Sequence, residues 1–273
     1  MIFKDLDNWA ITRQFLHRTS QVLSAVPRAF APHHDRWWHI SLKIRADGWW
    51  LTPFTLPDGA VLRLGLRTAD HTVVLEAGSA RQASWDLKRV KSPGDLAVAL
   101  YAETAGLGLT GLAPDRFLEN GPSDYDSKKA SQYFDLIEEI DRIFKRRRAR
   151  LPGSAGPVQL WPHGFDLAFE WVGGREVEIE SDGAVRTAPA QLNLGWSPGE
   201  ETHPAPYFYS NPWPFDENFK RHPLPEGARW FDDGWQGSIF PYSNLVGDPA
   251  AEKRLLDFAE TVFDLAYPTL TGP

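Results

Sequence analysis

The side chain with the most chemical promise in this sequence is His163. It sits in Leu160-Trp161-Pro162-His163-Gly164-Phe165-Asp166-Leu167-Ala168-Phe169-Glu170-Trp171. An imidazole titrates near neutral pH, so a partly buried one can serve as general base, proton shuttle or polar anchor. Read as a β-strand, the stretch alternates between two faces. Trp161, His163, Phe165, Leu167, Phe169 and Trp171 fall on one face, and Pro162, Asp166, Ala168 and Glu170 on the other. The aromatic face is expected to turn inward and take His163 with it. Asp166 then points away, and only a bulge at Gly164 would join the two. The alternative is a core histidine satisfied by a carbonyl or a tyrosine hydroxyl.

Partners for His163 are sought downstream. A predicted strand at 191–196 runs into a Pro/Gly loop carrying Glu200, Glu201 and His203. Loops at strand ends often carry function on a rigid support. His163, Glu200 and Glu201 are therefore the catalytic candidates. Adding His203 would give a 2-His-1-carboxylate set, but no spacing enforces it. No metal site is assigned, and the cofactor is left open. Tyr207, Tyr209, Trp213 and Trp235 supply rings for the walls of a pocket, with Asp166 and Asn193 as hydrogen-bonding groups. His17 and His39 complete the ligand-binding candidates. His17 lies beside the apolar stripe of its helix, at the edge of a cavity or at the surface. His39 falls on the non-core face of a predicted strand, next to His33 and His34, and reads as part of a surface cluster.

Composition narrows the function classes. The formal net charge of −7 argues against a general nucleic-acid or anionic-membrane surface. The basic run Lys145-Arg146-Arg147-Arg148 ends a predicted helix, where it complements the helix dipole. Zero cysteines exclude disulfides, thiolate metal sites and a cysteine nucleophile. The N-terminal residues lack the apolar core of a signal peptide, and no apolar run approaches the ~20 residues of a membrane span. A cytoplasmic protein is expected. The sequence holds no Gly-rich phosphate loop, no G-x-S-x-G elbow and no H-E-x-x-H motif.

The elements that must position these residues follow from periodicity. Helices are expected at 9–26, ended by Pro27, and at 92–105, 127–150 and 249–266. Strands are expected at 37–44, 48–51, 61–66, 72–76, 81–87 and 157–172. Gly173-Gly174 should then turn the chain into 176–180, followed by strands at 191–196, 206–210, 228–231 and 235–242. Both halves run helix, antiparallel strands, helix. Aligning Trp38 with Trp161 matches Ile40, Leu42 and Ile44 with His163, Phe165 and Leu167, which suggests an internal duplication. The expected fold is α+β: two pseudo-repeated α–β–α units, with helices packed on one face of antiparallel sheets. The N-terminal half covers 1–110, a linker 111–126 and the C-terminal half 127–273.

Four stretches carry a resemblance: Leu160 to Ala168, the Asn193-Leu194-Gly195-Trp196-Ser197-Pro198-Gly199-Glu200 run, Pro206-Tyr207-Phe208-Tyr209, and Gly234-Trp235-Gln236-Gly237. Together with Leu16-His17-Arg18 and Trp38-His39 they resemble a bacterial family of uncharacterised proteins, a domain of unknown function. That family usually reads W-P-H-H-F-D, and this chain has Gly164 at the second histidine. The resemblance implies one full-length unit and brings no activity with it. The reading is a small-molecule-binding protein or enzyme with an aromatic-walled pocket near His163. The alternatives are a non-catalytic carbohydrate- or peptide-binding module, and an oligomeric protein that associates through its aromatic strands. A small-molecule ligand is the expected partner, with nucleic acid and membrane not expected and the oligomeric state open.

Overall fold

The structure, a computed structural model, describes residues 3–79, 81–118, 124–181, 184–200 and 203–272. Phe15, Leu16, Thr19, Val22, Leu23 and Val26 recur at helical spacing and are buried along one side of helix α1 (Ala10–Phe30). The helix runs through Pro27 instead of ending there, and the Ala31 amide donates to the Pro27 carbonyl at 3.0 Å. A proline this close to a helix end forfeits one bond, and the last turn still closes.

Residues 37–41 form turns, not the expected strand. Trp37 sits at φ +59°, and Lys43 Nζ donates to the Trp38 and Ser41 carbonyls, which holds the chain folded back. Short strands β1 (Lys43–Arg45), β2 (Gly48–Trp50) and β3 (Phe54–Thr55) follow. They lead to the longer β4 (Val61–Arg67), β5 (Thr72–Ala77) and β6 (Arg81–Asp86). The antiparallel order is β1-β2-β4-β5-β6, with β3 beside β4. Helix α2 (Pro93–Ala105) is capped by Ser92, whose hydroxyl accepts from the Asp95 amide at 3.1 Å. The expected linker contains a further helical turn, α3 (Asp115–Leu118). Gly94 lets α3 dock on α2, since a Cβ there would meet the Phe117 carbonyl at 2.5 Å.

Helix α4 (Ser127–Arg148) is followed by β7 (Ser154–Ala155), β8 (Gln159–Leu160), β9 (Leu167–Ser181) and β10 (Ala184–Ser197). Then come β11 (Tyr207–Trp213), β12 (Arg229–Phe231), β13 (Gly237–Pro241) and helix α5 (Ala251–Thr271). The chain divides into two compact units. One comprises Leu6–Glu138 and Gln159–Phe165; the other comprises Met1–Asp5, Glu139–Val158 and Asp166–Pro273. The architecture is α+β with two antiparallel sheets. The register that suggested a duplication does not describe it, because neither 37–41 nor 161–165 is a strand.

In the second unit the order is β12-β13-β11-β10-β9-β7. One face carries Phe169, Trp171, Phe208 and Phe240. These pack on Phe144 of α4 and on Phe258 and Phe263 of α5, with ring centroids 5.1–6.2 Å apart. The other face carries Asn193, Gly195, Tyr207, Tyr209 and Asn211. Gly173-Gly174 does not turn the chain; β9 runs straight through it. A Cβ at Gly173 would meet the Leu270 carbonyl of α5 at 2.1 Å, so this glycine permits a close backbone approach. Opposite it, the register slips between Pro189 and Gln191. Beyond that bulge, among the described residues, 176–181 pair with 184–189 alone, as a two-stranded ribbon.

Gly173→Ala should therefore destabilise the protein by about 1–3 kcal/mol, since rigid backbone must yield to the new methyl. Gly174→Ala, where the nearest atom would lie at 3.3 Å, should be clearly milder. Urea unfolding of both variants checks the difference.

Candidate functional site

His163 does not point inward. Residues 162–164 form a turn, closed by the Phe165 amide donating to the Trp161 carbonyl at 2.8 Å, and the His163 side chain is exposed. Pro162 and Gly164 suit a turn better than a strand. Phe165, at φ +57°, still reaches the core and is fully buried. There it contacts Trp49 and Tyr133 at 6.1 and 5.4 Å. The inward aromatics thus come from a tight turn, and its apex carries the histidine outward.

The engaged imidazole is His17. Its ring stacks on Phe165 at 5.2 Å, with 12° between the planes. Its Nε2 lies 3.0 Å from the Pro162 carbonyl oxygen and 3.1 Å from that of His163, so an N–H there donates to the pair. The Gln21 side-chain amide lies 3.0 Å from the same nitrogen, one helical turn along α1. Burial pulls the His17 imidazole below its ordinary value. The two carbonyls oppose this by favouring the charged ring, while Arg13 and His163 add to the lowering.

The same side of α1 continues into a hollow of about 250 Å³. Gln21, Ser24, Ala25 and Arg28 of α1 line one wall, Arg116 and Phe117 of α3 a second, and Pro162 and His163 the third. The Ser24 hydroxyl is buried and has no hydrogen-bond partner among the described residues. Arg28 lies over the Trp37 ring at 5.3 Å and Arg116 over Phe117 at 4.5 Å. The Tyr101 phenol donates to the Val22 carbonyl at 3.1 Å. Burial pushes it up to about 12, with Arg116 opposing.

His39 is a second correction: it is buried, 7% exposed, where a surface cluster was expected. The turn at 37–41 folds its ring under Trp37 and His33, at 5.6 and 5.2 Å, and its Nδ1 accepts from the His34 amide. Sequence reasoning also passed over Lys43 and His71. Burial, helped by Arg45, brings the Lys43 ammonium down to about 8. His71 Nδ1 lies 2.6 Å from the Tyr125 hydroxyl and Nε2 3.2 Å from Ser131 Oγ. That spacing resembles a Ser–His pair, but the Ser131 hydroxyl donates to the Ser127 carbonyl at 2.9 Å. Donors then run from Tyr125 through His71 and Ser131 to a helix carbonyl, a satisfied structural chain. Only tertiary folding brings residues 71, 125 and 131 together, and no spacing in the sequence signals it.

The remaining candidates assemble in the other unit. Tyr209 donates to Asp166 Oδ2 at 2.5 Å, its ring lying across Gly195, where a Cβ would come within 2.3 Å of it. Burial raises the Tyr209 phenol well above its ordinary value, and Asp166 raises it further. Tyr207 donates to Glu200 at 3.2 Å and meets the His203 ring edge-on at 4.8 Å; burial lifts it to about 12. Asn193 donates to Asn211, which donates to the Gln236 carbonyl. Trp235 packs on Phe231 and Tyr209 at 4.7 and 6.0 Å, while Trp213 is half-buried on the same face of β11. Glu201 lies outside the described residues. Among the described residues no group of three histidine or acidic side chains is placed to hold a metal ion, and no helix is long and apolar enough to cross a membrane.

The motif residues Asp166, Asn193, Gly195, Glu200, Tyr207, Tyr209 and Trp235 therefore meet on and beside one sheet face, while Trp161 to Phe165 serve the other unit. Residues 4–270 match the family of unknown function DUF5996. The chain belongs to DUF5996. No curated protein and no solved structure matches it. In this DUF5996 member, the motif positions thus do two separate physical jobs.

Two outcomes test these contacts. Burial lowers the His17 pKa, so its neutral ring contributes stability that is complete above pH ~6.5 and declines as the pH falls through the folded-state value. His39 and His71, also lowered by burial, act in the same direction; Asp141, raised to about 6, acts in the opposite one. His17→Gln should therefore flatten part of the acid-side slope in pH-dependent urea unfolding, and the difference from wild type isolates the ring. Tyr209→Phe, which strips a buried donor from Asp166, should cost about 1–3 kcal/mol in the same assay.

Proposed function

We propose that this protein binds a small molecule in the hollow beside His163. What carries the reading is convergence: residues of α1, α3 and the 161–165 turn line one space, and among them is a buried hydroxyl with no partner among the described residues. Such a group costs about 1–3 kcal/mol when left unsatisfied, a shortfall that a guest makes good once the serine side chain rotates toward the hollow. His163 serves as an accessible polar group at the rim, and His17 as the residue that positions it by holding its carbonyl. No catalytic step is assigned. A cytoplasmic setting belongs to the same reading, since a chain without cysteine needs no oxidising compartment to fold.

The carbohydrate- or peptide-binding alternative rests on Tyr207, Tyr209, Trp213 and Trp235. It has less support, because three of these rings pack on one another or on neighbouring rings, and the two phenols already donate to carboxylates. Flat rings free to stack on a sugar would look different.

The experiment is a thermal-shift screen of small metabolites against the wild type, Ala25→Met and His163→Trp. The two substitutions fill the hollow from opposite walls, and the second alters an exposed residue. Compounds that raise the wild-type midpoint should lose their effect in both variants. If stabilising compounds act equally on all three proteins, or none is found, the site is wrong.

A further inference from the structure

We infer that the guest presents an oxyanion, a carboxylate or phosphate group, to Arg28 and Arg116. This rests on the reading above that the hollow is a binding site, and names the chemistry of what enters it. Two guanidinium groups from different elements border one space of about 250 Å³, and among the described residues no carboxylate lines that space or pairs with either arginine. Arginines beside a protein's own acids are usually spent on ion pairs; among the described residues these are not, and Arg116 shares a hydrogen bond only with the neutral Tyr101 hydroxyl. Each guanidinium carbon instead lies over an aromatic ring, Trp37 for Arg28 and Phe117 for Arg116. A ring beneath a guanidinium restrains it without using its five N–H donors, so most of them stay available to grip oxygen pairs.

The rest of the lining agrees with an anion. Gln21 brings an amide donor, and the Ser24 hydroxyl, on a residue only 3% exposed and with no partner among the described residues, can rotate to donate to a guest's oxygen. Ser24, Gln21 and Arg28 follow one another at three- and four-residue steps, so they share one side of α1. The hollow is smaller than the roughly 300–1,000 Å³ of drug-sized sites, which points to a compact metabolite, not a nucleotide or an oligomer. Both arginines are exposed, so the attraction should be sensitive to salt.

Inorganic phosphate, succinate and neutral succinamide are the probes, each titrated calorimetrically into the wild type, Arg28→Gln/Arg116→Gln and Ser24→Ala. Phosphate or succinate should bind the wild type, more weakly as sodium chloride is added, and succinamide should not. The double variant should lose about tenfold or more in affinity, and Ser24→Ala a smaller factor. Which of phosphate and succinate binds tighter assigns the group. Equal binding to the double variant, or no binding of either anion to the wild type, overturns the inference. If neutral compounds from the thermal-shift screen still lose their effect when the hollow is filled, the site survives and only its anion preference falls. If nothing responds to filling, the site falls as well.

Discussion

The local structure around the candidate site depends on one contact: an imidazole N–H from α1 directed at two successive carbonyls of the 161–165 turn. A backbone that leaves the strand conformation exposes carbonyls with no ladder partner, and those groups need donors. His17 supplies one for both Pro162 and His163. With that donor in place the turn closes on itself, Phe165 enters the core in a left-handed conformation, and His163 is carried to the rim of a hollow. Without it the turn would rest on Pro162, Gly164 and one backbone bond, with the Pro162 and His163 carbonyls short of that donor.

That contact also marks where the sequence could be read and where it could not. Helices α1, α4 and α5 follow from their apolar spacing, α2 from its Ser92-Pro93-Gly94-Asp95 start, and the long antiparallel strands from alternation and turn residues. Asp166 was correctly set on the face away from the core, since alternation holds from Leu167 onward. The stretch just before it failed, because two-residue periodicity in Trp161-Pro162-His163-Gly164-Phe165 outweighed the turn chemistry of Pro and Gly. Trp37 to Ser41 failed the same way. There a lysine ammonium is the donor that collects the carbonyls, and no pattern of spacing announces it.

Glycine was the other source of error. Gly173-Gly174 reads as a turn because glycine tolerates unusual backbone angles, yet its use here is the absence of a side chain. Gly195 is a second case: it clears the space that lets the Tyr209 hydroxyl reach Asp166. Both roles are set by a neighbour distant in sequence. The sorting of the histidines has a similar cause. His17, His39 and His163 all lie near aromatic residues in the sequence, and only the tertiary course of the chain makes one half-buried, one buried and one exposed.

The ribbon beyond the β9 bulge has a consequence for how the protein behaves in company. Residues 176–181 and 184–189 have no other strand partner among the described residues, so each leaves an edge of the kind on which a second chain can add itself. Its sequence answers that hazard with like charge: Glu176, Glu178 and Glu180 recur along one face, so a second copy approaching it would bring acid against acid. Val185, 67% exposed and paired with Glu180, is the hydrophobic side chain that this electrostatic fence has to guard.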